Sequence, residues 1–276
     1  MTPGRIERRF AALAAEGRAG FVAYVMAGDP DFETALAIVR GLPAAGADLI
    51  ELGMPFSDPM ADGPVIQRAA IRALTAGATL DGVLDLVRRF RDQDTATPVV
   101  LMGYLNPLMS FGLVAFARAA AAAGADGAIV VDCPPEEAGP FADALDAENL
   151  ALVRLATPTT DVARLAVICR RTRGFVYYVA VAGVTGAAEA NAGAIAPAVA
   201  RVRAASGLPV AAGFGIRTPA RAAEVARVAD AAVVGSALVE AIETAIAHNR
   251  DPAAIVLETA GALAEAVRSA RRDPAR

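Results

Sequence analysis

The chain has 276 residues, 55% of them hydrophobic, and a formal net charge of −4. That length supports one barrel-sized core or two small ones, and the scattered arginines give no basic stripe for nucleic acid. All 26 basic residues are arginine and His248 is the single histidine, which excludes a Schiff-base lysine, a PLP anchor, a P-loop lysine and a His-rich metal site within the chain.

In chain order, the first 20 residues predict an amphipathic helix with Ile6, Phe10 and Leu13 turned inward, rather than a signal or transit peptide. Short apolar strands follow over 21–26, 48–52, 98–102, 127–131, 150–154, 175–179, 209–211 and 231–234. They are apolar on both faces, as parallel strands covered on both sides must be. Helical segments separate them, over 31–44, 64–76 with 80–91, 112–123, 136–147, 160–171, 193–205, 218–227 and 236–248, and a last one over 252–270. Asp31, Thr160-Asp161 and Thr218-Pro219 read as helix starts. The phrase Ala-Gly-Ala-Asp recurs at 45–48 and 123–126, just before two strands, as a helix-ending glycine and turn. Eight strand–helix units predict an α/β protein, a (β/α)8 TIM barrel forming a single domain over 1–276 with an extra N-terminal helix. A doubly wound sheet is the alternative, because periodicity does not reveal closure.

No apolar run reaches the roughly 18–20 residues needed to span a bilayer. Cys133 and Cys169 fit a reducing compartment better than a disulfide. A cytoplasmic protein is therefore expected.

The chemistry must rest on carboxylates, tyrosines, hydroxyls and backbone amides. Glu51 stands in the middle of an apolar strand, where an ionised carboxylate is costly unless it is paired, protonated or facing a polar cavity. Pairing with a buried arginine such as Arg154 is one reading. The other is a proton-transfer group, since Glu51 lies at the C-terminal end of a strand, where barrel enzymes carry their chemistry. Asp62 lies in the loop 53–63, which is longer than the usual 2–6 residues of such connections. It is either a turn former or an acid carried by a lid. Asp58 reads as a loop-shaping Asx turn. Ala-Gly-Phe-Gly-Ile (212–216) and Val-Gly-Ser-Ala-Leu (234–238) follow the last two strands, where backbone N–H groups and a helix N-terminus form a phosphate site in many barrels. Ala-Gly-Val-Thr-Gly (182–186) adds a flexible loop. Tyr177 is a core aromatic or a phenol facing the cavity. Cys133 lacks an evident base, and His248 reads as structural.

Glu-Leu-Gly-Met-Pro-Phe-Ser-Asp-Pro-Met-Ala-Asp-Gly-Pro (51–64) resembles the signature of the tryptophan synthase alpha-subunit family nearly residue for residue. Gly28-Asp29-Pro30, Leu101 to Pro107, Asp132 with Pro134-Pro135-Glu136-Glu137, Gly183 to Gly186, Gly213 to Ile216 and Gly235-Ser236 match in order over most of the chain. The resemblance implies a (β/α)8 barrel that cleaves indole-3-glycerol phosphate to indole and glyceraldehyde 3-phosphate by a retro-aldol reaction. It implies Glu51 as general acid/base, Asp62 as acceptor of the indole N–H, and Tyr177 and Thr185 as supporting groups. It assigns the phosphate to Gly186, Gly215, Gly235 and Ser236, and the indole border to Tyr24, Ile66, Ile129 and Phe214. It implies no metal and no cofactor in this chain, and a beta subunit that carries PLP in an alpha2-beta2 heterotetramer. A stand-alone indole-releasing lyase and a non-catalytic regulatory barrel are the alternatives. Two departures stand out: Ala180-Val181-Ala182 precede Gly183 where many relatives have a serine, and Cys133 replaces a commonly aliphatic residue.

Overall fold

A computed structural model describes residues 3–179, 192–213 and 215–271. Thr185, Gly186, Phe214 and Ala180-Val181-Ala182 lie outside the described residues.

Nine strands are present among the described residues: β1 (Gly20–Met26), β2 (Leu49–Gly53), β3 (Val99–Gly103), β4 (Gly127–Val130), β5 (Ala151–Leu152), β6 (Arg154–Ala156), β7 (Val176–Val179), β8 (Val210–Gly213) and β9 (Ala231–Val234). All pair in parallel, in the order β5-β4-β3-β2-β1-β9-β8-β7-β6. The two ends of this order are consecutive in the chain. β5 pairs with β4, Val153 donates its N–H to the Ala128 carbonyl at 3.0 Å, and β6 then pairs with β7. One predicted strand, 150–154, is thus two short pieces that pass pairing from one neighbour to the other and close the barrel. Closure excludes the doubly wound alternative.

Alternation along each strand sends one set of side chains into the barrel and the other toward the helices. Val22, Leu49, Val100, Ile129, Val153, Phe175, Ala211 and Val233 form the interior cluster. The N-terminal helix α1 (Arg5–Ala15) adds Ile6, Phe10 and Leu13 to the same cluster, and the Phe10 and Phe175 ring centroids lie 5.5 Å apart. The outward set packs under the helical layer in a second, larger core. That layer comprises α2 (Phe32–Gly41), α3 (Pro64–Thr75), α4 (Leu80–Arg91), α5 (Leu105–Phe111), α6 (Leu113–Ala123), α7 (Gly139–Ala147), α8 (Val162–Cys169), α9 (Ala192–Ser206), α10 (Pro219–Val228), α11 (Ser236–Ala247) and α12 (Pro252–Ser269). The short helix α5 was not anticipated from periodicity. It starts where the Asp132 carboxylate, from the loop after β4, accepts the Leu105 N–H at 2.8 Å, a cap supplied from a distant part of the chain. No single described helix is long and apolar enough to cross a membrane; the bent pair α5 and α6 passes that test only together, and α6 buries Phe116, Ala117, Ala120 and Ala123.

The N-terminal ends of the strands share one device. Asp48, just before β2, accepts the Phe21 N–H at 2.8 Å and is held by Arg18 at 3.0 Å and by Arg9. Asp126, just before β4, accepts the Val99 N–H at 2.8 Å and pairs with Arg5 and Arg91. Asp230, just before β9, accepts the Val210 N–H at 2.8 Å and pairs with Arg203. Each carboxylate satisfies an amide at the start of a neighbouring strand and anchors an arginine. In both copies of Ala-Gly-Ala-Asp, Gly46 and Gly124 take positive φ and bring the chain from helix to strand just ahead of the aspartate. Asp48→Ala would strand a buried amide and an arginine pair, and it should lower unfolding stability by about 3–5 kcal/mol in thermal or denaturant melts. A loss below 1 kcal/mol would mean that this network contributes little.

Candidate active site

Glu51 points into the barrel from β2, in register with Tyr24 of β1 and Val100 of β3. It is 0% exposed, and neither carboxylate oxygen has a hydrogen-bond partner among the described residues. The pairing with Arg154 considered from sequence is not formed. Arg154 sits between the interior residues Val153 and Leu155 and faces the helical layer instead. Desolvation without a compensating cation moves the Glu51 pKa from 4.5 to about 8. At neutral pH the side chain is a protonated acid held in an apolar shell.

Glu51 lines a cavity of about 190 Å³ at the C-terminal end of the barrel. Tyr24, Asp62, Ile66, Tyr177, Gly215, Gly235 and Ser236 line the same cavity. Seven residues proposed from separate parts of the sequence therefore join Glu51 around one space. Ile129 does not. It is 0% exposed and belongs to the interior cluster with Val100 and Val153, in register with Met102. Met102, Val179, Gly213, Ile216 and Val233 also line the cavity and were missed as site residues. The inward alternation of β3, from Val100 to Met102, carried the signal for Met102.

Two tyrosines flank Glu51. A Cβ on Gly53 would collide with the Tyr24 hydroxyl, and one on Gly213 with the Tyr177 hydroxyl. Both positions must be glycine for the phenols to reach the cavity. Burial pushes both hydroxyls well above the ordinary tyrosine range, and the neighbouring carboxylates add to this: Asp62 and Glu51 for Tyr24, Glu51 for Tyr177. Both phenols are therefore neutral donors at physiological pH.

Asp62 arrives on the connection between β2 and α3. Burial raises its pKa, while the Tyr104 hydroxyl beside it lowers it in part. That hydroxyl accepts the Ala61 N–H at 3.0 Å, and Gln67 donates its Nε2 to the Asp62 carbonyl at 2.9 Å. Tyr104 stacks on Phe56 with centroids 5.3 Å apart, so the loop is tied down at both ends of its acidic turn. Asp58 does not form the expected Asx turn. Its carboxylate takes the Ser57 hydroxyl at 2.6 Å, its backbone carbonyl accepts the Met60 N–H, and the residue is exposed. Loop shape here comes from backbone and Tyr104 contacts.

In the same cavity, Gly235 and Ser236 form the N-terminus of α11 and Gly215 has φ +52°. Free first-turn N–H groups and the positive end of a 12-residue helix favour an anion. The cavity therefore has an acid end and an anion-accepting end. His248 lies elsewhere, at the C-terminus of α11, with its ring bonded to the Thr244 carbonyl. Cys133 borders a different cavity, and burial raises its thiol pKa. Among the described residues no group of three or more His, Cys, Asp or Glu could hold a metal ion.

The raised Glu51 pKa has a stability consequence. Between pH 4.5 and about 8 the folded chain keeps a proton that the unfolded chain has released, so stability falls as pH rises through this window. Glu51→Gln keeps a neutral side chain at every pH. It should match wild type in thermal melts at pH 5 and be more stable by a few kcal/mol at pH 9. Equal melting differences at both pH values would mean that Glu51 titrates normally.

The sequence model of the family described as "Tryptophan synthase alpha chain" matches residues 10–268. The tryptophan synthase alpha chain of Phenylobacterium zucineum is 69% identical over 272 residues, covering 99% of this chain and 98% of that protein. That of Gluconacetobacter diazotrophicus is 55% identical over 275 residues, covering 97% and 99%. The crystal structure of tryptophan synthase subunit alpha from Legionella pneumophila superposes with a TM-score of 0.91 at 40% identity, over 96% of this chain and 99% of that one. A chain of tryptophan synthase from M. tuberculosis gives 0.86 at 35% identity, over 96% and 99%. With the family matched over nearly its whole length and the barrel shared, this chain belongs to the tryptophan synthase alpha chain family, the lyase component of tryptophan biosynthesis.

Proposed function

We propose that this chain cleaves indole-3-glycerol phosphate to indole and glyceraldehyde 3-phosphate, with Glu51 moving the protons. The observation that carries the proposal is the unpaired, neutral Glu51 facing the same cavity as Asp62 and the N-terminus of α11. The substrate has matching ends: an indole with one N–H donor, a glycerol hydroxyl beside the bond to be broken, and a phosphate.

In this reading the phosphate rests at Gly215, Gly235 and Ser236, and Gly186 belongs to the same group. Ile66, Tyr24 and Phe214 border the indole. Glu51 gives its proton to indole C3, leaving the ring positively charged. Asp62 accepts the indole N–H hydrogen bond and stabilises that charge. The Glu51 carboxylate then takes the proton of the adjacent glycerol hydroxyl. The carbonyl of the aldehyde forms, the bond from C3 to the side chain breaks, and its electron pair returns to the ring. Indole leaves neutral and Glu51 is protonated again. The protonated ring is its own electron sink, so neither an amine nor a metal is needed, consistent with a chain without lysine. A pKa near the working pH lets one carboxyl serve as acid and then base. Tyr177 lines the cavity beside Glu51 and helps to position it without a hydrogen bond to its oxygens, and Thr185 meets Asp62 when substrate is bound.

The chain acts as one domain in the cytoplasm, in an alpha2-beta2 complex whose beta subunit carries the PLP and takes the indole. The family membership supports that partner. No cofactor is assigned to this chain.

Indole release from indole-3-glycerol phosphate, measured with and without beta subunit, tests the reading. Glu51→Gln should abolish release, a loss of at least about 10³-fold, since removing a positioned acid/base group costs roughly 10²–10⁴-fold. Phosphate binding should persist; near-wild-type turnover would remove Glu51 from proton transfer. Asp62→Asn should lose most activity while substrate still binds, and an unchanged rate would return Asp62 to turn-forming alone. The kcat profile should fall on its alkaline side as Glu51 loses its proton near pH 8. A flat profile to pH 10 would contradict Glu51 as the acid.

A further inference from the structure

We propose a second oxyanion site, for phosphate or a phosphate ester, in the cavity built around Arg154 beside β6 and the segments that follow β4 and β6. This cavity has a volume of about 520 Å³ and, among the described residues, shares no lining residue with the one holding Glu51. Its polar lining is Asp132, Cys133, Arg154, Thr157, Thr159, Thr160 and Arg164.

Arg154 is the anomaly. It is 8% exposed, yet its sole hydrogen bond among the described residues is a long one of 3.5 Å to the Cys133 carbonyl, and no described carboxylate lies within ion-pair range. Three other well-covered arginines are held by carboxylates: Arg18 by Asp48 at 3.0 Å, Arg72 by Asp29 at 2.8 Å and Arg91 by Asp126 at 2.8 Å. A buried guanidinium with no acid in contact, Glu136 acting on it only from beyond ion-pair range, is costly, and its planar fork of N–H donors fits an oxyanion. Burial lowers its pKa, but an arginine stays charged.

The surroundings supply further donors. Thr157 Oγ1 lies 2.9 Å from Thr159 Oγ1 and 3.2 Å from Thr160 Oγ1, and hydroxyl protons can turn outward. Arg164, paired with Glu136, stands at the rim. The one acid in the lining, Asp132, already accepts the Leu105 N–H at 2.8 Å. Two guanidinium groups and several hydroxyls offer more donors than a carboxylate's two oxygens take up, which favours phosphate.

The test is phosphate binding by the full chain. Equilibrium dialysis with inorganic phosphate should count one site fewer on Arg154→Gln than on wild type, whether or not the catalytic cavity also binds phosphate. In NMR titrations the Arg154 Nε–H signal should shift and saturate with inorganic phosphate, and acetate should leave it in place. Glycerol 3-phosphate in place of phosphate separates an ester ligand from the free ion. The Gly235 amide reports the catalytic cavity independently. An equal site count in both proteins, or an Arg154 signal that moves only linearly while Gly235 saturates, would overturn the site. If Arg154→Gln does not fold by circular dichroism, the wild-type Arg154 signal alone decides.

Discussion

A carboxyl group with no partner, on a strand with no solvent, is tolerated in this barrel only as a neutral acid. The free energy of removing charge from water acts on Glu51 alone, because no guanidinium, amide or hydroxyl among the described residues reaches its oxygens. The rest of the site follows from keeping that group dry and accessible. Tyr24 and Tyr177 cover it with aromatic surface, and Gly53 and Gly213 leave the volume their hydroxyls occupy. The apolar interior beneath, closed by Ile6, Phe10 and Leu13 of the N-terminal helix, keeps water from entering below.

The same residue type meets the opposite environment at the other end of the strands. Asp48, Asp126 and Asp230 are each tied to a backbone amide and to arginine. Their charges are matched, and they join neighbouring strands. The barrel thus separates roles by position along its strands: paired carboxylates hold the N-terminal end, and an unpaired one is left for chemistry at the C-terminal end. This division explains how a strained electrostatic arrangement at Glu51 can persist in a cooperative fold.

Asp62 belongs to neither class. It is half-buried on a loop, its pKa raised by burial and moderated by Tyr104. Tyr104 comes from the end of β3 and Asp62 from the connection after β2, so the register of two adjacent strands sets where the loop acid stands. A group on a loop can approach and leave a ligand; a group on β2 cannot. The two acids are therefore suited to different tasks, one to transfer a proton and one to stabilise transient charge.

Much of this was legible without coordinates. The eight apolar segments, the inward face of the first helix and the anomaly of Glu51 all come from local pattern and solvation cost, which act on neighbours in sequence. Residues of the glycine phrases after the last two strands likewise line the cavity. The division of 150–154 into β5 and β6, the capping of α5 by Asp132 and the placement of Ile129 in the interior cluster rather than in the cavity lining were not legible. Each depends on which strand lies next to which, and periodicity carries no information on neighbours. Arg154 makes the point most sharply. By sequence it was a fair partner for Glu51, being a cation on a core strand. Only closure of the barrel, with Val153 and Leu155 turned inward, sent Arg154 to the outer face and left Glu51 unpaired. Sequence determined that a carboxylate would be buried; tertiary structure decided that nothing would neutralise it, because the parity of residues along a strand fixes side only once the barrel defines an inside.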